Sequence, residues 1–261
     1  MKVTVFASGS GGNCLLLSDR GTHILLDAGI SMRRTLASLR AANLEIQDIG
    51  GVLITHEHSD HVSGLKMLLR HYDLPLYAPH TVAARLCGAI PEAVDRMHVI
   101  RPGVDFTLGA LTIRAFHTPH DTDESVGYRV TGEGVFALAT DMGHVTEEVI
   151  AGLSGADTVL IESNHDLEML RNGPYPAPLK RRILSDRGHL SNTDCALLAR
   201  ELVKAGAGAV ILGHLSRENN RPDLALRETK SALAGSGVRV LCAPDWGFLE
   251  IEVGEGLPCS T

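Results

Sequence analysis

The chain has 261 residues, of which 44% are hydrophobic and 21% are charged, a composition typical of a globular protein with a sizeable core. Its formal charge of −7 argues against a general polyanion binder, since such proteins carry an excess of positive charge. The five cysteines are scattered and no apolar run approaches the roughly 18 residues of a membrane span, so we predict one cytoplasmic domain over residues 1–261 with reduced thiols and no membrane contact.

The predicted elements are short strands that alternate with helices along the whole chain. A Gly-rich loop at 8–13 follows the first strand, and Ser31 is a candidate N-cap for the first helix. Two hairpins are predicted at 104–116 and 126–139, each with glycine in its turn. The other strands are predicted at 3–7, 14–17, 24–29, 51–54, 74–77, 158–161, 209–212, 238–241 and 248–253, and the helices include 32–42, 62–71 and 193–203. This order indicates the α/β class.

A histidine-rich segment lies directly behind the apolar run 51–54. It places three imidazoles and two carboxylates within six positions, and it reads Thr55-His56-Glu57-His58-Ser59-Asp60-His61. Neutral imidazole together with carboxylate is the ligand combination that suits zinc, manganese or iron. The alternative is a polar loop that is rich in histidine by chance. In that case the free-energy cost of placing these polar groups close together is not offset by a bound ion. The segment therefore predicts a metal site.

Further histidines and carboxylates follow other predicted strands. They are His117 and His120 after 111–115, Asp141 after 135–139, a Glu-Ser-Asn-His-Asp segment at 162–166, and His214 after 210–213. Sheets that carry helices on their faces place ligands in the loops at the carboxyl ends of their strands. We therefore expect these side chains to converge on one edge of the fold.

The motif His56-x-His58-x-Asp60-His61, with a later His, Asp and His, resembles the metallo-β-lactamase superfamily. Further segments are similar to the YycJ branch, also called WalJ or VicX, and extend the resemblance over nearly the whole chain. These segments are Ala7-Ser8-Gly9-Ser10-x-Gly12-Asn13, Ala139-Thr140-Asp141, Glu162-Ser163-Asn164-His165-Asp166, 180–186, Gly188-His189-Leu190-Ser191-Asn192 and 214–220. The resemblance implies a four-layer αββα sandwich, a two-metal centre and 5′-to-3′ exonuclease action on DNA.

Carried over to this sequence, the resemblance implies a set of metal ligands and one supporting acid. The ligands are His56, His58 and His120 for the first ion, Asp60, His61 and His214 for the second, and Asp141 as a bridge between them. Asp27 would support the histidine loop from behind the ligands. His117, three residues before His120, is the alternative ligand of the third motif. The ions are expected to be divalent transition metals, zinc or manganese, with iron as a further candidate.

The chemistry of a phosphodiester suggests further roles. Two ions ~3.5–4 Å apart neutralise the phosphate and lower the pKa of a shared water, so a metal-bridging hydroxide is the expected nucleophile, which Asp60 would aim at phosphorus. His189 is the candidate proton donor to the leaving sugar oxygen; the alternatives are stabilisation of the charged transition state, since a helix N-terminus attracts phosphate, and a buried structural histidine. Arg181 lies in segment 171–187, which has five basic residues and one acidic residue, and it would track a nucleic-acid backbone. The candidate substrate contacts are His165, Arg181, Ser10 and Asn13.

Other functions on the same ligands stay open at this stage. A hydrolase of small esters or thioesters, of the lactonase or glyoxalase type, would have no use for the basic run 180–182 or the motif 188–192. An RNA-processing nuclease would share the two-metal chemistry. A regulatory binding protein with structural metals is disfavoured, because structural zinc sites are usually closed, Cys-rich and mononuclear. The expected partner is DNA, with RNA as the second choice, and the sequence leaves the oligomeric state open.

Overall fold

The computed structural model describes residues 1–254, and these form two sheets of seven strands each. The first sheet contains β1 (Lys2–Ala7), β2 (Cys14–Asp19), β3 (Thr22–Leu26), β4 (Ile49–Leu53), β5 (Leu76–Pro79), β6 (Met97–Ile100) and β14 (Leu249–Glu252). The second contains β7 (Asp105–Leu108), β8 (Leu111–His117), β9 (Val126–Thr131), β10 (Val135–Ala139), β11 (Thr158–Glu162), β12 (Ala209–Gly213) and β13 (Arg239–Cys242). The last part of the predicted domain, 255–261 with Cys259, lies outside the described residues, and the extent of the domain stays a prediction.

The helices cover the outer faces of both sheets. They are α1 (Met32–Ala41), α2 (Ser59–Val62), α3 (Leu65–His71), α4 (His80–Ala89), α5 (Glu147–Leu153), α6 (Leu167–Asn172), α7 (Ala177–Ile183), α8 (Asn192–Lys204) and α9 (Pro222–Ala232), with 3₁₀ turns at Ile46–Asp48 and Pro91–Arg96. Apolar side chains of α1, α3 and α4 pack on the first sheet, and those of α5, α8 and α9 pack on the second. This arrangement confirms the predicted four-layer αββα sandwich. Within residues 1–254 no helix is both long enough and apolar enough to cross a bilayer.

The inner strands of both sheets bury both of their faces, which explains their nearly continuous apolar sequences. In β2, Leu15 and Leu17 enter the core between the two sheets, whereas Leu16 points to the helix layer. In β1, Val3 and Val5 enter the same central core, and Phe6 faces the helices. This alternation with a period of two residues is the geometry of an extended strand.

The order of the strands brings their carboxyl ends to a common edge. In the first sheet the order is β14-β1-β2-β3-β4-β5-β6, and β3 to β6 run parallel to one another. In the second sheet the order is β13-β12-β11-β10-β9-β8-β7, and β10 to β13 are parallel. Parallel strands that end at the same edge carry their following loops to that edge.

The predicted hairpins and most strands are confirmed, but three elements differ. The helix predicted over 62–71 is divided into α2 and α3, because the Gly64 backbone N–H donates to Ala28 O over 2.8 Å and the Ile30 carbonyl leaves no room for a side chain at Gly64. The short edge strand β6 was not predicted. Neither was α4, which begins after Pro79 without a side-chain cap.

Candidate metal centre

Asp27, the first residue after β3, holds the histidine segment in place. The Thr55 backbone N–H donates to Asp27 Oδ1 over 2.9 Å, and His61 Nδ1 lies 2.7 Å from Asp27 Oδ2. These contacts occupy Nδ1 of His61 and leave its Nε2 directed at the other predicted ligands. A carboxylate in this position fixes the orientation of an imidazole that binds metal through its other nitrogen.

The segment also packs closely against the chain that leaves β3. The Asn13 backbone N–H donates to Asp60 O over 2.7 Å, and the Gly29 backbone N–H donates to Asn13 O over 2.8 Å. A Cβ atom at Gly29 would collide with the Asp60 carbonyl. Only glycine allows the backbone of Asp60 to approach this closely.

We expect the G29A substitution to destabilise the fold by ~1–3 kcal/mol, because the new methyl group must push the Asp60 backbone out of a packed position. Denaturant unfolding of the metal-loaded protein measures this change. G88A is the matched control, since Gly88 lies in α4 with open space around it. There alanine should stabilise the helix by roughly 0.5–1 kcal/mol. Equal stability of G29A and wild type would contradict the close approach.

The first predicted ligand group contains His56, His58 and His120. His120 Nε2 lies 3.3 Å from His58 Nδ1, and His120 Nδ1 lies 3.2 Å from Gly188 O. The Gly188 carbonyl therefore engages Nδ1 of His120, and Nε2 remains available as the ligand atom of the first group. His56 is fully buried, and its Nε2 atom has no hydrogen-bond partner among the described residues.

The second predicted ligand group contains Asp60, His61 and His214. Asp60 Oδ2 lies 3.3 Å from His214 Nε2 and 3.4 Å from His61 Nε2. The backbone N–H of His214 donates to Ser8 Oγ over 2.9 Å, which ties the end of β12 to the loop after β1. Both sheets thus contribute residues to this group.

Asp141 lies between the two groups, where the resemblance places a bridging ligand. Its Oδ2 atom is 3.1 Å from His61 Nε2, and its Oδ1 atom is 3.7 Å from His120 Nε2. Burial would raise the pKa of this carboxyl, but the adjacent His214 and His61 lower the pKa well below its usual value. The side chain is therefore an anion that faces both groups.

The residues present fit two metal ions. Ligand atoms 2.0–2.1 Å from a tetrahedral ion lie roughly 3.3 Å from one another, which is close to the separations measured inside both groups. Buried polar atoms without partners are rare and costly, yet neither His56 Nε2 nor Asp141 Oδ2 makes a hydrogen bond within residues 1–254. Bound cations would satisfy both atoms.

Three residues of the site have a left-handed backbone conformation. Asp27, Asp141 and His214 have φ angles of 58°, 56° and 55°, and they follow β3, β10 and β12. In the described chain the other non-glycine residues with positive φ are Arg20 and Asn43. Such conformations are uncommon and concentrate at functional sites. They turn the chain sharply behind each strand and direct these side chains into the site.

Glu162 is also part of the site. From the sequence we predicted only that it lies at the end of a strand, and we assigned it no role. Its Oε1 atom lies 2.8 Å from both His189 Nδ1 and His214 Nδ1, and its Oε2 atom accepts from the backbone of Met142 and Leu190 over 3.0 Å each. A carboxylate accepts about four hydrogen bonds, so no lone pair is left for a metal. Burial would raise the pKa of Glu162, but the two histidines lower it to about 2.

His189 lies at the rim of the ligand groups. Its ring centre is 5.2 Å from that of His120 and 5.4 Å from that of His214, and 22% of its side chain is exposed. Burial lowers the pKa of His189, but the Glu162 carboxylate more than offsets this effect and the pKa is raised overall. A partly exposed imidazole whose protonated form is favoured by an adjacent carboxylate can deliver a proton beside the predicted metal ligands.

The other predicted substrate contacts have different surroundings. His165 is 1% exposed, and its backbone pairs with Ser191 beside the loop that carries His189. Burial lowers the pKa of His165 to about 4, so its imidazole is neutral. Ser10 is exposed in the loop after β1, but Asn13 is buried with its Nδ2 atom 3.3 Å from Asp60 Oδ2. Substrate contact by these residues stays a prediction.

The structure separates the two candidate histidines of the third motif. His117 ends β8 with half of its side chain exposed, and its Nδ1 atom lies 3.0 Å from Glu148 Oε1. It belongs to neither ligand group, whereas His120 lies within the first one. The geometry therefore favours His120.

A sandwich of two mixed sheets with two metal-ligand groups at the strand ends defines a metallo-hydrolase of the β-lactamase superfamily. Residues 22–215 match the family described as "Beta-lactamase superfamily domain". The structure is also similar to the metallo-β-lactamase fold protein YhfI from Bacillus subtilis, with a TM-score of 0.75 and 19% identity over 96% of this chain and 98% of that chain. At this identity the likeness supports the fold alone.

Two relatives identify the branch. "Exodeoxyribonuclease YycJ" of Bacillus anthracis is 39% identical over 91% of this chain and 90% of its own length. "Exodeoxyribonuclease WalJ" of Streptococcus pneumoniae serotype 2 is 36% identical over 92% of this chain and 90% of its own length. The chain belongs to the β-lactamase superfamily and, within it, to the family of YycJ and WalJ, which confirms the resemblance found in the sequence motifs.

Proposed function

We propose that this chain is a two-metal phosphodiesterase that shortens DNA in the 5′-to-3′ direction. The observation that carries the proposal is the pair of ligand groups on either side of Asp141, with the Glu162–His189 pair at their rim. The names of the two relatives favour DNA as the substrate. The direction of digestion rests on the family resemblance.

The ligand residues have distinct tasks in this proposal. When bound, two divalent ions would neutralise the phosphodiester and acidify the attacking water. Asp141 would keep the two ligand groups at a fixed separation. Asp60 is 22% exposed, so its carboxylate can accept a hydrogen bond from the attacking water and orient it toward phosphorus.

His189 would donate a proton to the leaving group. Because Glu162 engages the Nδ1 atom of His189, the Nε2 atom is the one left to hold a proton for the substrate. The leaving sugar oxygen is strongly basic, and a positioned acid speeds its departure by about 10²–10⁴-fold. Glu162 keeps the ring both oriented and protonated.

The basic helix α7 offers a surface for the nucleic-acid backbone. Arg187 donates to His120 O over 2.8 Å, and Arg182 is paired with Asp121, so these two arginines are engaged with the loop that carries His120. Arg181 is exposed and has neither an ion pair nor a side-chain hydrogen bond within residues 1–254. Its charge is free to meet a phosphate.

We expect R181A to raise the KM for DNA several-fold while kcat changes little, because one phosphate contact is lost and the chemistry is untouched. The slope of log affinity against log salt should fall by about one. R239A is the control, since Arg239 is exposed at the amino end of β13, away from the edge that carries the site. An unchanged salt slope in R181A would remove Arg181 from the DNA path.

The decisive test compares substrates on the metal-loaded protein. Duplex DNA with a labelled 5′-phosphate, single-stranded RNA and a panel of thioesters are incubated with the protein and with a chelated sample. We expect release of the label as the 5′-terminal mononucleotide at the start of digestion, and no release after chelation. Faster digestion of RNA would favour an RNA-processing nuclease. Turnover of thioesters without DNA cleavage would favour a small-ester hydrolase and would contradict the proposal.

The ions and the location belong to the same proposal. We propose zinc or manganese, with iron as a further candidate, because imidazole and carboxylate ligands suit all three. Cys14, Cys87, Cys195 and Cys242 are free thiols, as in proteins of a reducing compartment. This supports a cytoplasmic location.

A further inference from the structure

The loop between β13 and β14 exposes two aromatic side chains. Trp246, the one tryptophan of the sequence, is 47% exposed, and Phe248 is 46% exposed. Aromatic residues make up only 4% of the chain. Of the nine exposed large hydrophobic residues in the described part of the chain, these two alone are aromatic. Single exposed apolar side chains are ordinary, but a pair of aromatic rings two positions apart is not.

Two arginines contact the loop that carries this aromatic pair. The guanidinium carbon of Arg34, at the start of α1, lies 4.5 Å from the centre of the Trp246 ring. Arg34 is exposed and forms no ion pair within residues 1–254, so its charge is not compensated. Arg217 is paired over 2.7 Å with Asp245, the residue before Trp246. An aromatic ring beside arginine is the combination that binds a nucleobase by stacking and its phosphate by charge.

The aromatic loop is continuous with the metal centre. The Ser8 backbone N–H donates to Pro244 O over 3.0 Å, and the Gly247 backbone N–H donates to Phe6 O over 3.1 Å. The loop therefore lies against the segment that leaves β1. That segment continues to Asn13, whose side chain reaches Asp60 of the second ligand group at 3.3 Å.

Arg217 strengthens this connection. A Cβ atom at Gly11 would collide with its guanidinium group, so the Gly-rich loop and Arg217 form one surface. Ser10 and Gly11 are exposed on that surface. A strand of nucleic acid with a phosphate at the metal centre can thus follow an exposed path over the Gly-rich loop to Trp246.

We propose that Trp246, on the ring face opposite the Arg34 guanidinium, is a stacking platform for an unpaired nucleobase of the substrate strand, with Arg34 available for a flanking phosphate. This inference rests on the proposed nuclease function and names the part of the substrate that the site recognises. Stacking on an indole ring needs a base with a free face, so the platform favours single-stranded DNA next to the scissile bond over an intact duplex.

The single tryptophan allows a direct binding measurement, because all tryptophan fluorescence of the protein arises at position 246. The probe is an oligothymidylate with hydrolysis-resistant phosphorothioate linkages, added to the metal-loaded protein. We expect saturable quenching. A strand of equal length that carries abasic sites keeps its charges but lacks bases, and it should quench weakly. Equal quenching by both strands would overturn the stacking role.

Kinetics on single-stranded DNA provide the second readout. W246A should raise KM about ten-fold, since stacking of one base contributes affinity of this order, with kcat within about two-fold of wild type. W246F retains a ring and should raise KM less, whereas W246L retains only apolar bulk and should resemble W246A. L197A is the control, because Leu197 is equally exposed, at 48%, but lies on α8. Wild-type KM in W246A and W246L would overturn the proposal.

The results separate this inference from the proposed function. A protein that digests DNA but whose Trp246 fluorescence does not respond to the oligonucleotide overturns the platform and leaves the nuclease intact. Base-dependent quenching without hydrolysis of any nucleic acid supports the platform and overturns the nuclease. If W246A instead dissociates an oligomer, the aromatic pair is a contact between copies of the chain and the platform is wrong.

Discussion

The D141A variant should lose both metal ions and its activity together. Asp141 lies 3.1 Å from His61 of one ligand group and 3.7 Å from His120 of the other, so under the proposed bridging role its removal would take a ligand from both ions. It would also remove the anion that offsets the repulsion between the two cations. The ions contribute several kcal/mol to transition-state stabilisation, which corresponds to a rate loss of roughly 10³-fold or more.

Elemental analysis of the folded, reconstituted variant measures the loss of metal directly, and DNA turnover measures the loss of activity. The D105A variant is the matched control, because Asp105 is an exposed carboxylate that starts β7 and pairs with Arg114. That variant should keep two ions per chain and wild-type activity. Two ions retained in D141A would rule out the bridging role.

The candidate metal centre could be predicted from sequence because its candidate ligands lie at strand ends that local patterns define. A buried parallel strand is a short apolar run, and the first polar residues behind it must lie at the edge of the sheet. This places Asp141 behind β10 and His214 behind β12 without any knowledge of distant contacts. Asp27 is different: the predicted strand 24–29 contained it, its role came from the resemblance, and the structure places it directly after β3, which ends at Leu26.

The choice between His117 and His120 needed more than local sequence, because both follow the same strand. Phe116 and Ala115 are buried, but His117 still belongs to β8 and turns to solvent, where it meets Glu148. His120 comes three residues later, after the chain has turned inward, and the Gly188 carbonyl from a distant loop fixes its ring. Only the tertiary structure sets these two environments apart.

The roles of Glu162 and Trp246 also could not be predicted from local sequence, for two different reasons. Glu162 is the last residue of β11, but its role depends on His189, 27 positions further along the chain. Trp246 lies in a loop without any motif, and its position beside Arg34 depends on the packing of β1 against β14. The division of the predicted helix 62–71 has a similar cause, since Gly64 is positioned by a backbone contact to Ala28.

The H189A variant should bind metal normally and turn over DNA about 10²–10⁴-fold more slowly, because the leaving sugar oxygen loses its acid. A thymidine phosphodiester with a p-nitrophenolate leaving group provides a sharp control, since that leaving group departs without a proton. H189A should hydrolyse it at nearly the wild-type rate. An equal loss on both substrates would show that His189 stabilises the phosphate rather than protonating the leaving group.

The E162Q variant should test how Glu162 acts through His189. The Glu162 carboxylate raises the pKa of His189, and the protonated imidazole is the form that donates. Activity is therefore lost as the pH rises through that pKa, and removal of the negative charge lowers the pKa. The alkaline limb of the pH–rate profile should move to lower pH in E162Q. Because Glu162 also contacts His214, metal content is measured in parallel; an unshifted limb in a variant that retains two ions would exclude this role of Glu162.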